Sequence, residues 1–313
     1  MFTYDVLIVG GGAAGLSAAL VLSRARRSVV VIDAGQPRNA PAAHMHGFLG
    51  SDGLPPADLL AAGRREILGY GAKLVPGTAT AIAPVETGEG VPRFEVTLDD
   101  GTAIAARRIL VSTGLRDDVP DIPGLKERWG RDVLHCPYCH GFEVRDQPLG
   151  VIGGTTEAVL HAQIIRQWSE DVIYFSNGIA VDDVDRERFQ VRNIAIVDGQ
   201  IAHLVIEDDH LTGVGLVSGD VVPRAAVFVR PRFIPNADLL AGLGCASDTN
   251  GWTTTDQTGR TSVPGLWVAG NAVNPRAQVI TAAGEGSAAA IAINNDLVEE
   301  DVELALAATR STH

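Results

Sequence analysis

The strongest constraint on this chain is a glycine turn set between two short apolar runs. Val6-Leu7-Ile8-Val9 leads into Gly10-Gly11-Gly12-Ala13-Ala14-Gly15, and an Ala/Leu-rich stretch over residues 13–24 follows. The spacing fits G-x-G-x-x-G. Its first glycine permits the tight turn, its second lets the backbone approach a pyrophosphate, and its third lets helix pack on strand. A second β-branched run, Val29 to Ile32, ends in Asp33, near the ~20-residue spacing at which an acid reaches a ribose diol. Taken alone, the glycines fit any βα turn. With strand, helix and acid in place they predict a βαβ unit that binds a dinucleotide through Gly10, Gly12, Ala14, Gly15 and Asp33, the phosphates lying on the helix N-terminus.

The pattern recurs. Leu149-Gly150-Val151-Ile152-Gly153-Gly154 reads as strand and turn, a helix follows to about Trp168, and Val172 to Phe175 is a further strand. Two nucleotide-fold units in 313 residues predict an α/β chain with two Rossmann-like domains of three-layer ββα build. Residues 34–60 read mainly as loop. Residues 91–112 read as a hairpin turning at Asp99-Asp100-Gly101, with Arg108 to Gly114 as its following strand. The Pro-rich stretch from Asp117 to Gly124 has no hydrophobic period and predicts a domain boundary near residue 116. Beyond Pro235, a strand runs into Gly270, and a long Ala-rich helix is expected from about Val279 to Leu297.

Charge and cysteine usage exclude other classes. With 38 acids against 25 bases the formal net charge is −13 and no basic run occurs, so the chain repels nucleic acid and anionic membrane surfaces. Three cysteines cannot staple a secreted scaffold, and an odd number leaves one unpaired, which favours a reducing compartment and, by default, the cytoplasm. Met1-Phe2-Thr3-Tyr4-Asp5 lacks a basic region of the signal-peptide kind. No apolar stretch approaches the ~18 residues a bilayer span needs.

Cys136-Pro137-Tyr138-Cys139 is a C-x-x-C flanked by His135 and His140, either a redox pair or half a metal site. Four neighbours in one turn cannot all converge tetrahedrally on one ion, and Cys245 has no C-x-x-C of its own, so a redox disulfide is expected and no metal. Cys245, in Leu243-Gly244-Cys245-Ala246, reads as a small buried hydrophobe.

Together with the first glycine turn and the C-x-x-C, the stretch Pro264-Gly265-Leu266-Trp267-Val268-Ala269-Gly270-Asn271 and the later Gln278-Val279-Ile280-Thr281-Ala282-Ala283-Gly284-Glu285-Gly286 resemble the low-molecular-weight thioredoxin reductase family. The resemblance runs from about residue 3 to residue 296. It implies an FAD domain built from residues 1–116 and 237–313, with a pyridine-nucleotide-type domain, residues 117–236, inserted and carrying the C-x-x-C. It implies that Gly270 and Asn271 approach the FAD pyrophosphate and ribityl chain, that Gln278 and Val279 lie near the isoalloxazine, that residues 38–50 lie near the flavin, and that the protein is a homodimer. The family usually has Asp where this chain has Asn271, which keeps a polar contact and removes a charge.

The departures from that family carry the functional reading. Thr155 stands where the second domain's middle motif glycine would admit a nicotinamide dinucleotide, and its Cβ crowds the phosphate. Past the next strand, where NADPH users carry a basic cluster, Asp182, Asp183, Asp185 and Glu187 face Arg186 alone. No acid ends that strand to hold the free ribose of NADH. These departures, and Cys136-Pro137-Tyr138-Cys139-His140-Gly141, resemble the FAD-dependent dithiol oxidases that close disulfides in natural products such as gliotoxin and holomycin, where His replaces the Asp after the second cysteine. A base of pKa near ~6.5 takes a proton from a thiol at neutral pH far better than one of ~3.9. The alternative is a His140 that merely caps a turn.

The expected reaction is attack by a small-molecule dithiol on Cys136 and its release as a disulfide. By the resemblance Cys139 is the flavin-side sulfur, and molecular oxygen takes the electrons to give hydrogen peroxide. Two alternatives stay open: a disulfide reductase fed by NAD(P)H or another donor and acting on a thioredoxin-like protein, and a flavin-bound redox sensor.

Overall fold

The computed structural model describes residues 3–85, 93–155 and 157–311. Met1 and Phe2, the first two residues of the 91–112 hairpin reading and Thr156 of the second glycine turn lie outside the described residues.

The first sheet has seven strands. Lys73–Pro76, Val29–Asp33, Thr3–Val9 and Ala103–Val111 are adjacent, then come Phe94–Leu98 and Ala79–Pro84, with Leu266–Val268 also pairing with Ala103–Val111. Its centre is parallel, with Val6 opposite Val29 and Arg108. The β-branched runs are continuous because both faces are covered. Val6, Ile8, Val29 and Val31 pack beneath helices Ala13–Arg24 and Val279–Ser311, while Leu7, Val9, Val30 and Ile32 join the opposite core with Phe94, Val96 and Leu240. The two helices approach closely where a Cβ on Gly286 would stand 2.0 Å from the Ala14 carbonyl oxygen. Glycine is therefore required at that crossing, and it brings the start of the long helix to the first glycine turn.

That long helix continues to Ser311, well beyond the expected Leu297, since no Gly or Pro interrupts residues 298–311. An ion-pair network pins it to the sheet. Arg108, nearly fully buried, holds Asp296 at 2.5 Å and Glu300 at 2.6 Å, and Arg107 of the same strand and Arg93, just before strand Phe94–Leu98, reach Glu300 at 2.8 and 2.9 Å.

The second sheet has five parallel strands, in the order Ile194–Val197, Val172–Phe175, Leu149–Ile152, Ala226–Val229, Val133–Leu134. Helices Glu157–Ile165 and Asp183–Val191 cover one face and the antiparallel strands Ile201–Glu207, His210–Leu216 and Val221–Pro223 pack on the other, which is the expected ββα layering. The chain crosses between the sheets twice. Where a featureless linker is expected after residue 116, the crossings pair as antiparallel strands, Leu115–Asp118 with Arg232–Pro235. Three further boundaries differ from expectation. Helix Pro56–Gly69 begins inside the stretch read as loop, Ala103–Val111 ends before Ser112, and the helix of the second unit stops at Ile165. Among the described residues no helix is long and apolar enough to cross a membrane.

Candidate active site

A cavity of about 870 Å³ opens at the carboxyl ends of the first sheet's central strands. Its wall includes Gly10, Gly12, Ala14 and Asp33 from the first βαβ unit, Gly270, Asn271, Gln278 and Val279 from the C-terminal segment, and Cys136, Cys139 and His140 from the other sheet. Gly15 is the one sequence-predicted site residue that does not line it. Its Cβ would fall 1.9 Å from the Gly10 carbonyl oxygen and 2.7 Å from Ser112 Oγ, so it serves the packing of helix on strand. The second glycine turn lies elsewhere, for no described residue between His140 and Arg230 reaches the cavity.

The first glycine turn is shaped for an anion. Gly10 has φ +108°, and a Cβ there would meet the Ser112 carbonyl oxygen at 2.4 Å. Gly12 caps helix Ala13–Arg24 without a side-chain hydrogen bond, and the space where its Cβ would stand is open. The first-turn amides have no intrahelical acceptor and face that space with the positive end of the helix dipole. Asp33 Oδ2 accepts from Arg64 Nη2 at 2.8 Å and Oδ1 from the Gly35 amide at 3.1 Å. A carboxylate has about four acceptor positions, so these bonds leave capacity for a ribose hydroxyl. Glycine cradle, open helix end and acid together fit FAD.

Asn271 has a role its replacement by Asp could not fill. Its Nδ2 donates to the carbonyls of Asn274 at 2.9 Å and Ala277 at 3.0 Å, and Arg38 Nη1 lies 3.4 Å from its Oδ1. Only an amide offers two donors there. Glu285 fixes the same turn, accepting from the Gly270 amide at 3.0 Å and from Asn274 Nδ2 at 2.7 Å. Arg38 is held by Asp117 through bonds of 2.8 and 2.6 Å. Of the stretch 38–50, Arg38, Asn39, Pro41 and Ala42 line the cavity. His46 instead lies between Asp52 at 3.4 Å and Glu143 at 3.3 Å, tying the loop to the segment after the C-x-x-C.

Cys136 and Cys139 form a disulfide. Cys136 is the N-cap of the four-residue helix Pro137–His140, whose proline at the first position is compatible with a helix start. Gln278 Nε2 lies 3.9 Å from Cys139 Sγ, so Cys139 is the sulfur beside the C-terminal segment. The His140 imidazole forms no hydrogen bond with a described residue. Burial pushes it below the usual histidine range, opposed by the charge of Glu143 and assisted by His46, leaving it neutral at pH 7. His135 is pushed down to about 3, by burial first and then by His161, Arg38 and Arg230. Cys245 is half-buried against the first sheet's core, and burial raises its thiol.

Sequence reasoning placed Arg38 near the flavin but missed Arg64 and the role of Glu285. Arg64 reaches Asp33 across loop closure from a distant position. Glu285 carried a signal as the one acid in an otherwise small and apolar helix start.

Comparison with known proteins agrees with this geometry. The family model described as pyridine nucleotide-disulphide oxidoreductase matches residues 4–286. A probable thioredoxin reductase of Arthroderma benhamiae is 31% identical, covering 97% of this chain and 82% of its own length. The thioredoxin reductase sirT of Leptosphaeria maculans is 28% identical over 96% of both chains. The crystal structure of HlmI superposes with a TM-score of 0.96 at 52% identity, covering 99% of this chain and 98% of that one. The chain belongs to the pyridine nucleotide-disulphide oxidoreductase family, as a thioredoxin reductase-like, FAD-dependent disulfide oxidoreductase.

Proposed function

We propose that the protein is a dithiol oxidase, which closes a disulfide in a small-molecule dithiol with molecular oxygen as final acceptor and hydrogen peroxide as product. The observation that carries this reading is a neutral, unbonded His140 imidazole on the same cavity wall as the Cys136–Cys139 disulfide and the FAD cradle. His140 takes the proton of an incoming thiol, and the thiolate attacks Cys136 Sγ. The S–S bond breaks, and its electron pair leaves on Cys139 Sγ. The substrate's second thiol then attacks the mixed disulfide and frees the product, leaving both cysteines reduced. FAD, when bound, supplies the two-electron acceptor that returns the pair to a disulfide. Glu285 and Asn271 hold the turn against which it binds, and Gln278 faces the inner sulfur.

Several features support electron entry from a dithiol. Thr155 stands in the turn before helix Glu157–Ile165, Asp182 is committed as N-cap of Asp183–Val191, and Arg186 is occupied by the Val181 carbonyl and Asp198. No base is left in that run for a 2′-phosphate. The curated relatives named thioredoxin reductases favour the other reading, in which NADPH reduces the flavin. Anaerobic mixing separates them, since a dithiol such as dithiothreitol should bleach the flavin far faster than NADPH does.

In this reading the domain boundaries fall at the paired crossings, near residues 116 and 236. The protein is a homodimer, supported by exposed Ile280, Ile291, Val298, Val302 and Leu306 along one face of the long helix. With an unpaired Cys245 it resides in the reducing cytoplasm.

A further inference from the structure

Four arginines reach the cavity wall. Arg38 is held by Asp117, Arg64 by Asp33, and Arg276 is exposed. Arg230 differs. It is half-buried and forms no hydrogen bond or ion pair with any described residue, a costly state for a guanidinium unless an anion joins it. It follows directly on strand Ala226–Val229, which runs parallel to Val133–Leu134 with Val227 opposite Val133 and Phe228 opposite Leu134. Just past these strand ends Arg230 and Cys136 both line the cavity, and the Arg230 charge acts on His135, the chain neighbour of Cys136.

The neighbouring histidines add no positive charge, and the nearby Arg38 is already paired with Asp117. Burial, His161, Arg38 and Arg230 keep His135 neutral, and burial with Arg230 keeps His161 neutral against the bond to the His135 carbonyl. The His135 and His161 rings lie 6.1 Å apart, and His135 meets Phe233 edge-on at 5.0 Å. Past the C-x-x-C, His140 is neutral and Glu143 is turned to His46. Among the described residues, Arg230 is the half-buried cavity-wall arginine without a partner.

We propose that the Arg230 guanidinium stabilises the thiolate on Cys136, the sulfur that leaves when the substrate closes its own disulfide. This rests on the dithiol oxidase reading. In that step the second substrate thiol, its proton released to water, attacks the substrate sulfur joined to Cys136. The intramolecular S–S bond forms, the bond to Cys136 breaks, and its electron pair departs on Cys136 Sγ. The oxidant consumed is the enzyme's own mixed disulfide. A lower-pKa leaving thiol departs faster, so the unpaired cation gains its partner at the moment product forms.

The test uses flavin-loaded Cys139→Ser protein, in which Cys136 is the lone C-x-x-C thiol. The rate of iodoacetamide labelling is followed against pH and read on the Cys136 peptide by mass spectrometry, so that Cys245 does not contribute. Arg230→Met should raise the labelling midpoint by ~1 pH unit, the low end of what an adjacent opposite charge does. Arg230→Gln should match it, and Arg230→Lys should restore most of the shift. An unchanged midpoint in either uncharged variant that retains FAD overturns the proposal, as does an equal rise in Arg230→Lys. A shifted midpoint in a protein whose parent oxidises no dithiol leaves the charge pairing standing and sinks the oxidase reading. Dithiol oxidation with an unmoved midpoint sinks the pairing alone.

Discussion

Replacing Asn271 by the Asp usual in the resembling family should harm this protein. The side-chain amide donates to the carbonyls of Asn274 and Ala277 at 2.9 and 3.0 Å. Asn271→Asp removes both donors and sets a carboxylate against two carbonyl oxygens. At ~1 kcal/mol net per hydrogen bond the loss is ~2 kcal/mol. With an unfolding entropy of about 2.1 cal/mol/K per residue over a chain of this length, that lowers the melting temperature by about 3 °C. Arg38, 3.4 Å from Oδ1, recovers little because Asp117 already engages it. The introduced carboxyl would titrate above its unfolded value, since the carbonyls favour its protonated form. Its penalty is therefore full at neutral pH and shrinks as pH falls through the raised value, where the acid proton restores one donor. The assay is thermal release of FAD fluorescence at pH 7.5 and pH 5, with Asn271→Ala as a variant that lacks a titrating group. An Asn271→Asp protein as stable as wild type at pH 7.5, or a deficit identical at both pH values, would refute the reasoning.

Other residues give separate outcomes. His140→Ala should keep FAD and the disulfide yet lose ~10²–10⁴-fold in dithiol turnover at pH 7, with the loss shrinking by pH 9 as thiols ionise unaided; steady-state rates across that range check it. Cys139→Ser should abolish flavin reduction by substrate, whereas Cys136→Ser should leave the inner thiol able to perturb the flavin spectrum, a difference that absorbance reads directly. Burial raises Glu300, but its bonds and charge pairing with Arg108 and Arg107 outweigh this and hold its carboxyl below the usual range. Its stabilisation is thus present above the unfolded value and lost as pH falls through the depressed one. Glu300→Gln should melt lower at pH 7 and converge with wild type below the ordinary carboxylate range, as thermal melts against pH will record.

The parts of the fold written in local pattern were legible in the sequence. Val6–Val9, the glycines at 10, 12 and 15, and Asp33 carry strand, turn and acid within one short stretch, and each sits in the structure where local chemistry puts it. Pairing of Leu115–Asp118 with Arg232–Pro235 was not legible, because two polar, proline-flanked segments become strands only when the chain's return path lays them side by side. The same holds at the site. Asp33 predicts a diol contact, but nothing nearby announces that Arg64 shares its carboxylate. Asn271 reads as a lost charge until Asn274 and Ala277 fold their carbonyls onto its amide. His140 could be read either as a cap or as a base, and the sequence offered nothing about its burial or its lack of a hydrogen-bond partner, which favour the base.

The central claim, that electrons enter through Cys136 and Cys139 from a dithiol, is tested most directly by anaerobic stopped-flow on the oxidised, flavin-loaded protein. Absorbance near the flavin maximum is followed after mixing with dithiothreitol in one shot and NADPH in the other. The account predicts bleaching by the dithiol, abolished in Cys139→Ser, and with NADPH a change too slow to support turnover. Rapid bleaching by NADPH, or dithiol bleaching that survives loss of Cys139, would contradict it.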